Sequence, residues 1–421
     1  MALNQVKCFY KNNLIGTLGV TNHIYFEYDQ EFIKSGLELS PIHLPLRLGL
    51  HTHNFSAFHG LPGLFYDSLP DSWGMNILSR KLENEGVKLH EISVFTLLCM
   101  IGPRAIGAIS YEPDTGFTGS ELIALDAIKT HRDAIAIVEG KPDKVGKALY
   151  EMAGSAGGQR PKIVVGIKDD SIIAGAGMLP KGYASWIIKL DMKPQQEYGK
   201  IEHAMMLMAK GAGLTVPQTK VFHFSEIDGE DRFAFGIKRF DRLADGNRVH
   251  VHTLSGMVHK DFFARIISYE DLLNVTQQIS SNPQQDKTEV YRRLVYNILA
   301  SNYDDHAKNT SFLFTANDGW RLAPAYDLTP AGRAIGTHEM SVRGKFSNIR
   351  IEDAREFGDA VGIPNDEALT VESQVTEALS QWGRYAKEAG LSADRAKQIQ
   401  HRFDSIGYLP PDNDETVTVK F

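Results

Sequence analysis

The residues best suited to chemistry lie in one short run, Asn302-Tyr303-Asp304-Asp305-His306-Ala307-Lys308-Asn309. Asp304 and Asn309 stand five positions apart in it. Phosphoryl transfer of the protein-kinase type uses such a pair: a carboxylate to orient or deprotonate the attacking hydroxyl, and a nearby amide oxygen for a metal ion. Another carboxylate follows in Pro324-Ala325-Tyr326-Asp327-Leu328. Between them, Ser311 to Phe314 and Trp320 to Leu322 flank the turn Ala316-Asn317-Asp318-Gly319, which predicts a hairpin. A hairpin brings its ends together, so Asp327 can approach Asn309 and share Mg²⁺. The same residues also read as a solvated Asp304-Asp305 loop and a turn at Asp327. The order helix, loop, hairpin, aspartate is what raises the first reading.

A phosphoryl donor also needs a cation on its phosphates and a loop over them. Lys189 ends the apolar run Ala184-Ser-Trp-Ile-Ile-Lys189-Leu190. It reads either as a nucleotide lysine or as a strand-edge lysine with a packed stem. Glu202 lies thirteen residues on, inside the next helical pattern. A strand lysine paired with a helix glutamate positions nucleotide in protein kinases, although a surface role for Glu202 stays open. Upstream, the glycine stretch with Gly157-Gly158 and Lys162 offers exposed backbone N–H groups for phosphate oxygens. This stretch matches neither a Walker motif nor G-x-G-x-x-G, and a mobile loop is its other reading.

The elements that must position these groups follow from pattern. Val6 to Tyr10, Leu14 to Val20, His23 to Tyr28 and Ala105 to Tyr111 read as short strands, and a helix starts at the capping residues Asp71-Ser72 and runs through Leu82. Ile163 to Ile167, Tyr183 to Leu190, Val221 to Phe224 and Phe233 to Phe240 read as strands around a helix over Glu197 to Ala212. Beyond residue 246 the pattern is mostly helical, with helices over Glu289 to Asn302 and from Val371 through Ala386. The expected boundaries give segments 1–140, 141–245 and 246–421. The fold class expected is α+β.

Composition bounds the function. A chain of 421 residues suggests two or three domains, and 43% hydrophobic with 23% charged residues excludes disorder, collagen and a simple coiled coil. A net charge of −7 gives no bulk attraction to nucleic acid or anionic membrane, leaving only local basic patches. Cys8 and Cys99 are too few for a disulfide framework or a cysteine-rich zinc site, and a cytoplasmic location is expected. The first residues lack a signal-peptide pattern, and no run of about 18 apolar residues spans a membrane. His51-x-His53 and His250-x-His252 are metal-pair candidates without an identifiable third ligand. Met205, Met206 and Met208 read as core. Lys345 and Arg350 read as solvated rather than phosphate-binding.

Taken together, these motifs make the chain resemble the HipA family, serine/threonine-kinase toxins of bacterial toxin–antitoxin pairs, over nearly its full length. Leu69-Pro-Asp71-Ser72, Ile101-Gly102 and Ile106-Gly-Ala108 resemble the family's N-terminal subdomain. Ser155 to Lys162 resembles its regulatory phosphate loop, Ile187-Ile-Lys189-Leu190 its ATP-lysine strand, and Ile237-Lys-Arg239-Phe240-Asp241-Arg242 the segment linking its lobes. Asp304-Asp-His306-Ala307-Lys308-Asn309 is the most specific match, and Tyr326-Asp327 completes it. The resemblance implies a protein-kinase-like fold: a β-rich N-terminal subdomain, a mixed α+β nucleotide lobe and a mostly α-helical C-terminal lobe. It implies ATP and Mg²⁺ as cofactors, Asp304 as catalytic aspartate, and Asn309 and Asp327 as Mg²⁺ ligands. It further implies that Lys189, His306 and Lys308 face the nucleotide phosphates and that the backbone of Lys238, Arg239 and Phe240 holds adenine. Gly157, Gly158, Gln159, Arg160, Pro161 and Lys162 would form the phosphate loop, with Ser155 as an autophosphorylation site. The partners implied are a HipB-like helix-turn-helix antitoxin, operator DNA mainly through it, and a protein substrate, for the family an aminoacyl-tRNA synthetase, whose modification arrests growth and leads to persistence. Two positions depart from the pattern: Lys238 replaces an acidic residue, and Gly157-Gly-Gln-Arg-Pro161 replaces an Ala-Gly-Ala-Gln type of loop. A small-molecule kinase and a catalytically silent corepressor scaffold are the rival readings.

Overall fold

Short strand-forming runs within residues 5–112 and 162–238 build two antiparallel sheets. They are seen in a computed structural model that describes residues 3–52, 56–115, 134, 160–169, 171–175, 179–227, 230–330 and 336–406. The chain divides into two compact units that interleave in sequence. Unit 1 comprises residues 1–199, 218–261 and 311–323, and unit 2 comprises 200–217, 262–310 and 324–421.

In unit 1 the first sheet contains β1 (Gln5–Tyr10), β2 (Asn13–Val20), β3 (Ile24–Tyr28), β4 (Leu50–Thr52) and β5 (Ile109–Glu112), in the order β4-β3-β2-β1-β5. Val6, Cys8 and Tyr10 alternate inward along β1, as a strand with one buried face requires. The second sheet contains β6 (Lys162–Lys168), β7 (Ser171–Ala174), β8 (Ala184–Leu190), β9 (Thr219–Ile227) and β10 (Glu230–Lys238), in the order β7-β6-β8-β10-β9. Helix α1 (Ser72–Asn84) starts where Asp71 caps it, its Oδ1 accepting from the Gly74 N–H at 3.1 Å. Trp73 and Ile77 of α1 pack with Ile163, Val165, Trp186, Ile188 and Leu190 on one face of this sheet. Helix α2 (Val94–Ile101) is buried along most of its length. A small sheet of β11 (His250–Thr253), β12 (Ser311–Thr315) and β13 (Gly319–Leu322) contains the expected hairpin, in register Phe312 to Leu322.

Unit 2 is mainly helical. It holds most of α3 (Tyr198–Gly211), then α4 (Tyr269–Ile279), α5 (Pro283–Leu299), the pair β14 (Thr337–Val342) and β15 (Lys345–Ser347), and α6 (Ile351–Ala360), α7 (Asn365–Ser380), α8 (Trp382–Glu388) and α9 (Ala393–Ile406). Met205, Met206 and Met208 are core, as expected. Tyr296 of α5 donates to the Met205 carbonyl at 2.8 Å. The two units together make the fold class α+β.

Several boundaries differ from expectation, and the strand expected over Ala105 to Tyr111 begins only at Ile109. Helix α5 starts at Pro283 rather than Glu289, because Asn282 caps it and proline fits the first turn, and it ends at Leu299, before Ser301 turns left-handed (φ 55°). The helix expected from Val371 through Ala386 is two helices, broken at Gln381. The strand expected to reach Phe240 stops at Lys238. Among the described residues, no helix is long and apolar enough to cross a membrane.

Candidate active site

Within unit 2, α5 ends and the chain enters the 302–309 loop, whose backbone is fixed from inside. The Asn309 N–H donates to the His306 carbonyl at 2.8 Å, closing a turn. Asn309 Nδ2 donates to the Asp304 carbonyl, also at 2.8 Å. A carbonyl only accepts, so the amide must present nitrogen to it, and Oδ1 is turned away for another partner. The Asp304 carboxylate is 45% exposed, with His306 Nε2 3.9 Å from its Oδ1. A half-exposed carboxylate with a loose neighbour is reachable by an incoming hydroxyl. Ala307 is buried and anchors the turn. The ring of Phe262 lies 5.1 Å from that of His306 and 5.3 Å from Lys308 Nζ.

Asp327 is brought to the same loop through its neighbour. Tyr326 donates its hydroxyl to the Lys308 carbonyl at 2.8 Å, and the Ala325 N–H donates to the Thr215 carbonyl at 2.8 Å. Asp327 itself sits in the left-handed region (φ 54°), a conformation that non-glycine residues adopt only when their surroundings enforce it. Asn309 Oδ1 and the Asp327 carboxylate are hard oxygen donors, the chemistry Mg²⁺ takes alongside phosphate oxygens. The donor set therefore fits a shared Mg²⁺. Glu202 is almost fully buried in α3.

Asp305 is what sequence reasoning missed. Its sequence neighbourhood suggests only half of a solvated pair, yet it is 4% exposed. Its carboxylate accepts from the Tyr269 hydroxyl (2.8 Å), the Glu339 N–H (2.8 Å) and His338 Nδ1 (2.9 Å). Burial, with the Asp305 charge beside it, pushes the Tyr269 hydroxyl well above its ordinary pKa, so it stays a donor. Three donors from two elements distant in sequence leave no local signal.

In unit 1, strand alternation places Lys189, Val164 and Ile187 on the sheet face opposite the α1 contact. Lys189 pairs across strands with Phe235, and its ammonium lies 5.6 Å from that ring. Lys162 stands directly opposite Lys189, but its side chain is 4% exposed and its Nζ is 3.2 Å from Asp71 Oδ2. Its ammonium is thus committed to the α1 cap. Arg160 lies over the Tyr198 ring at 4.4 Å, and Pro161 is buried, its carbonyl accepting from the Leu190 N–H. The backbone N–H groups of Lys238 and Arg239 donate to the Gln218 and Ser185 carbonyls, both at 2.9 Å. The Arg239 guanidinium makes two bonds to Asp241, at 2.8 and 2.6 Å. Asp241 also pairs with Arg242 and accepts from the Gly107 N–H; these partners outweigh burial and hold its carboxyl well below the usual range. Any adenine contact of Lys238 and Arg239 thus falls to their carbonyls. Phe240 follows β10 in a loop. Ser155, Gly157, Gly158 and Gln159 lie outside the described residues.

The histidine pairs have ordinary partners. His252 lies between Asp67 Oδ2 (2.6 Å) and Ser40 Oγ (3.0 Å), and His250 Nε2 meets the Leu39 carbonyl at 3.0 Å. His51 Nε2 lies 3.3 Å from the Arg47 carbonyl, while His53 is outside the described residues. Among the described residues no group of three His, Cys, Asp or Glu could hold a metal ion. Lys345 pairs with Asp353 at 2.5 Å. The Arg350 N–H donates to Asp353 at 2.9 Å, at the start of α6.

Comparison with known proteins agrees across the chain. Residues 154–383 match the family model of the HipA-like C-terminal domain, and residues 6–112 that of the HipA N-terminal domain. The chain is 29% identical to a protein of Haemophilus influenzae named "Putative kinase", over 41% of this chain and 52% of that protein. It is 30% identical to "Putative kinase Y4dM" of Sinorhizobium fredii, over 56% of this chain and 54% of that one. The match thus spans about half the length of these two relatives. The serine/threonine-protein kinase toxin HipA of Shewanella oneidensis is 22% identical over 84% of this chain and 82% of its own. A solved complex of Shewanella oneidensis HipA with HipB and operator DNA shares the fold, with a TM-score of 0.68 at 19% identity over 95% of each chain.

Proposed function

The chain belongs to the HipA family, and from that premise we propose that it is an ATP-dependent protein serine/threonine kinase acting as the toxin of a toxin–antitoxin pair. One observation carries the chemistry. The Asp304 carbonyl orients the Asn309 amide while the Asp304 carboxylate stays half-exposed, so a general base and an oxygen ligand share one loop. In this reading Asp304 orients and deprotonates the acceptor hydroxyl, and Asn309 and Asp327 hold Mg²⁺. Bound Mg²⁺ neutralises developing charge on the transferred phosphoryl group. Lys189, His306 and Lys308 offer cationic or donor groups to phosphate oxygens, and Glu202 supports the nucleotide lysine. Gly157, Gly158, Gln159 and Arg160 add backbone N–H groups for phosphate oxygens, and Pro161, which has no N–H, ends that run.

A HipB-like helix-turn-helix antitoxin is the proposed partner, because the fold is that of a HipA solved with HipB and operator DNA. Contact with DNA then runs mainly through the antitoxin, in keeping with the net charge of −7. The acceptor is a protein of translation, as the family resemblance implies for an aminoacyl-tRNA synthetase. Ser155 is the proposed autoregulatory site, since a phosphate there adds roughly −1.5 to −2 charges beside a loop meant for ATP phosphates.

The test is transfer of labelled phosphate from ATP to proteins and to metabolites by wild type and Asp304→Asn. Label on protein seryl or threonyl groups, lost in Asp304→Asn, is expected. Label confined to metabolites would replace this reading with the small-molecule kinase, and no label at all with the scaffold. Peptide mass analysis of the same incubations is expected to find phosphate on Ser155 in wild type only.

A further inference from the structure

One histidine touches both neighbours of Asp304. His338, on β14, lies edge-to-face on Tyr303, with ring centroids 5.0 Å apart and planes at 85°. Its Nδ1 is 2.9 Å from Asp305 Oδ2, and both side chains are 1% exposed. A carboxylate accepts only, so His338 meets it with a protonated Nδ1. The next residue of β14, Glu339, donates its N–H to Asp305 Oδ1. β14 is itself held, since Arg265 Nη2 donates to the His338 carbonyl at 2.6 Å and the Ser341 N–H to the Ile267 carbonyl at 3.2 Å. From the helical side, Asn302 Nδ2 donates to Asn297 Oδ1, Asn297 Nδ2 to the Tyr269 hydroxyl, and Tyr269 to Asp305 Oδ2. The chain of bonds begins and ends in the loop that carries Asp304.

Asp304 has little to hold its own side chain, as its 3.9 Å approach to His306 is too long for a hydrogen bond. Its direction must come from the backbone, and the backbone is fixed at the residues before and after it. We propose that Asp305 and His338 are positioning residues for phosphotransfer, clamping both neighbours of Asp304 so that its carboxylate and the amide of Asn309 keep one orientation. What that orientation serves rests on the kinase reading above; how it is held does not. A catalytic group free to pivot loses the rate gained by alignment, and misplacement of about 1 Å can cost on the order of 10².

The experiment compares full-length wild type with His338→Ala, His338→Asn and Asp305→Asn. Asparagine places an amide N–H near the position of His338 Nδ1, whereas alanine removes the donor. Asp305→Asn keeps shape but sets an amide nitrogen among donors. In His338→Ala and Asp305→Asn, amide hydrogen exchange over residues 303–309 is expected to quicken while α7 and α8 keep their protection. Their kcat is expected to fall at least about tenfold, with KM for ATP within about threefold. His338→Asn is expected to recover most of the loss. Should His338→Ala fail to fold, Asp305→Asn carries the decision. Unchanged exchange in the loop, a folded variant with wild-type kcat, or His338→Asn no better than alanine would overturn the clamp. A wild-type protein without phosphotransfer removes the kinase reading alone, because the exchange rates still decide how the loop is held.

Discussion

Asp304 and Asp305 are adjacent carboxylates with opposite surroundings, one at the surface and one sealed behind the loop by three donors. That contrast sets what each substitution does. Asp304→Asn leaves every backbone bond of the loop in place, so the melting temperature should stay near that of wild type. Loss of a general base typically costs about 10² to 10⁴ in rate, and phosphotransfer within threefold of wild type would remove Asp304 from the catalytic role. Lys162 illustrates a different limit. Its type and its place after a glycine-rich stretch suggest phosphate, but the direction of a strand side chain depends on what packs beside it, and here Asp71 does. Removing one partner of a buried ion pair typically costs about 3–5 kcal/mol. Lys162→Met is therefore expected to lower stability by roughly that amount, and adding Asp71→Asn, which keeps the capping oxygen, to restore part of it. Urea unfolding measures both, and a double variant no more stable than the single one would show that the pair is not the cause.

Elements were legible where their signals are local. The cap at Asp71, the hairpin turn through Gly319 and the alternation in β1 and β8 all follow from neighbouring residues. The split between α7 and α8 carried no proline or glycine at Gln381, so periodicity alone ran across it. The role of β11 was hidden because its partners lie some two hundred residues earlier in the chain: Leu39 for His250, and Ser40 and Asp67 for His252. Burial, chiefly, and then the neighbouring His252 lower the pKa of His250 to about 3. Its unfolded value is about 6.5, so between pH 6.5 and 3 the unfolded chain binds the extra proton. Stability from neutral His250 is full above pH 6.5 and declines as pH falls toward 3, by up to a few kcal/mol. His250→Gln keeps a donor for the Leu39 carbonyl without titrating. Its stability should therefore fall less steeply than wild type between pH 6.5 and 4, and parallel slopes in the two proteins would exclude His250 as the source.

At the scale of the molecule, local pattern reads segments in series, whereas compactness joins pieces distant in sequence: residues 200–217 belong with the helical unit, and the β12–β13 hairpin with the strand-rich one. Such assignments are made by side chains meeting across long separations, as when Tyr296 reaches the Met205 carbonyl. Ligand binding reports on the whole chain because a ligand that binds only the folded state stabilises it by mass action, about 2.7 kcal/mol at a hundredfold excess over Kd. If Asn309 and Asp327 share Mg²⁺, ATP with Mg²⁺ should raise the melting temperature of wild type more than ATP with a chelator does. Asp327→Ala removes one oxygen ligand and also puts alanine at a left-handed backbone position (φ 54°) that aspartate tolerates better, so its own baseline must be measured without nucleotide. Against that baseline the Mg²⁺-dependent part of the shift should shrink, while the part due to nucleotide alone should remain. Equal Mg²⁺-dependent shifts in the two proteins would take the metal away from Asp327 and leave Asn309 without its partner.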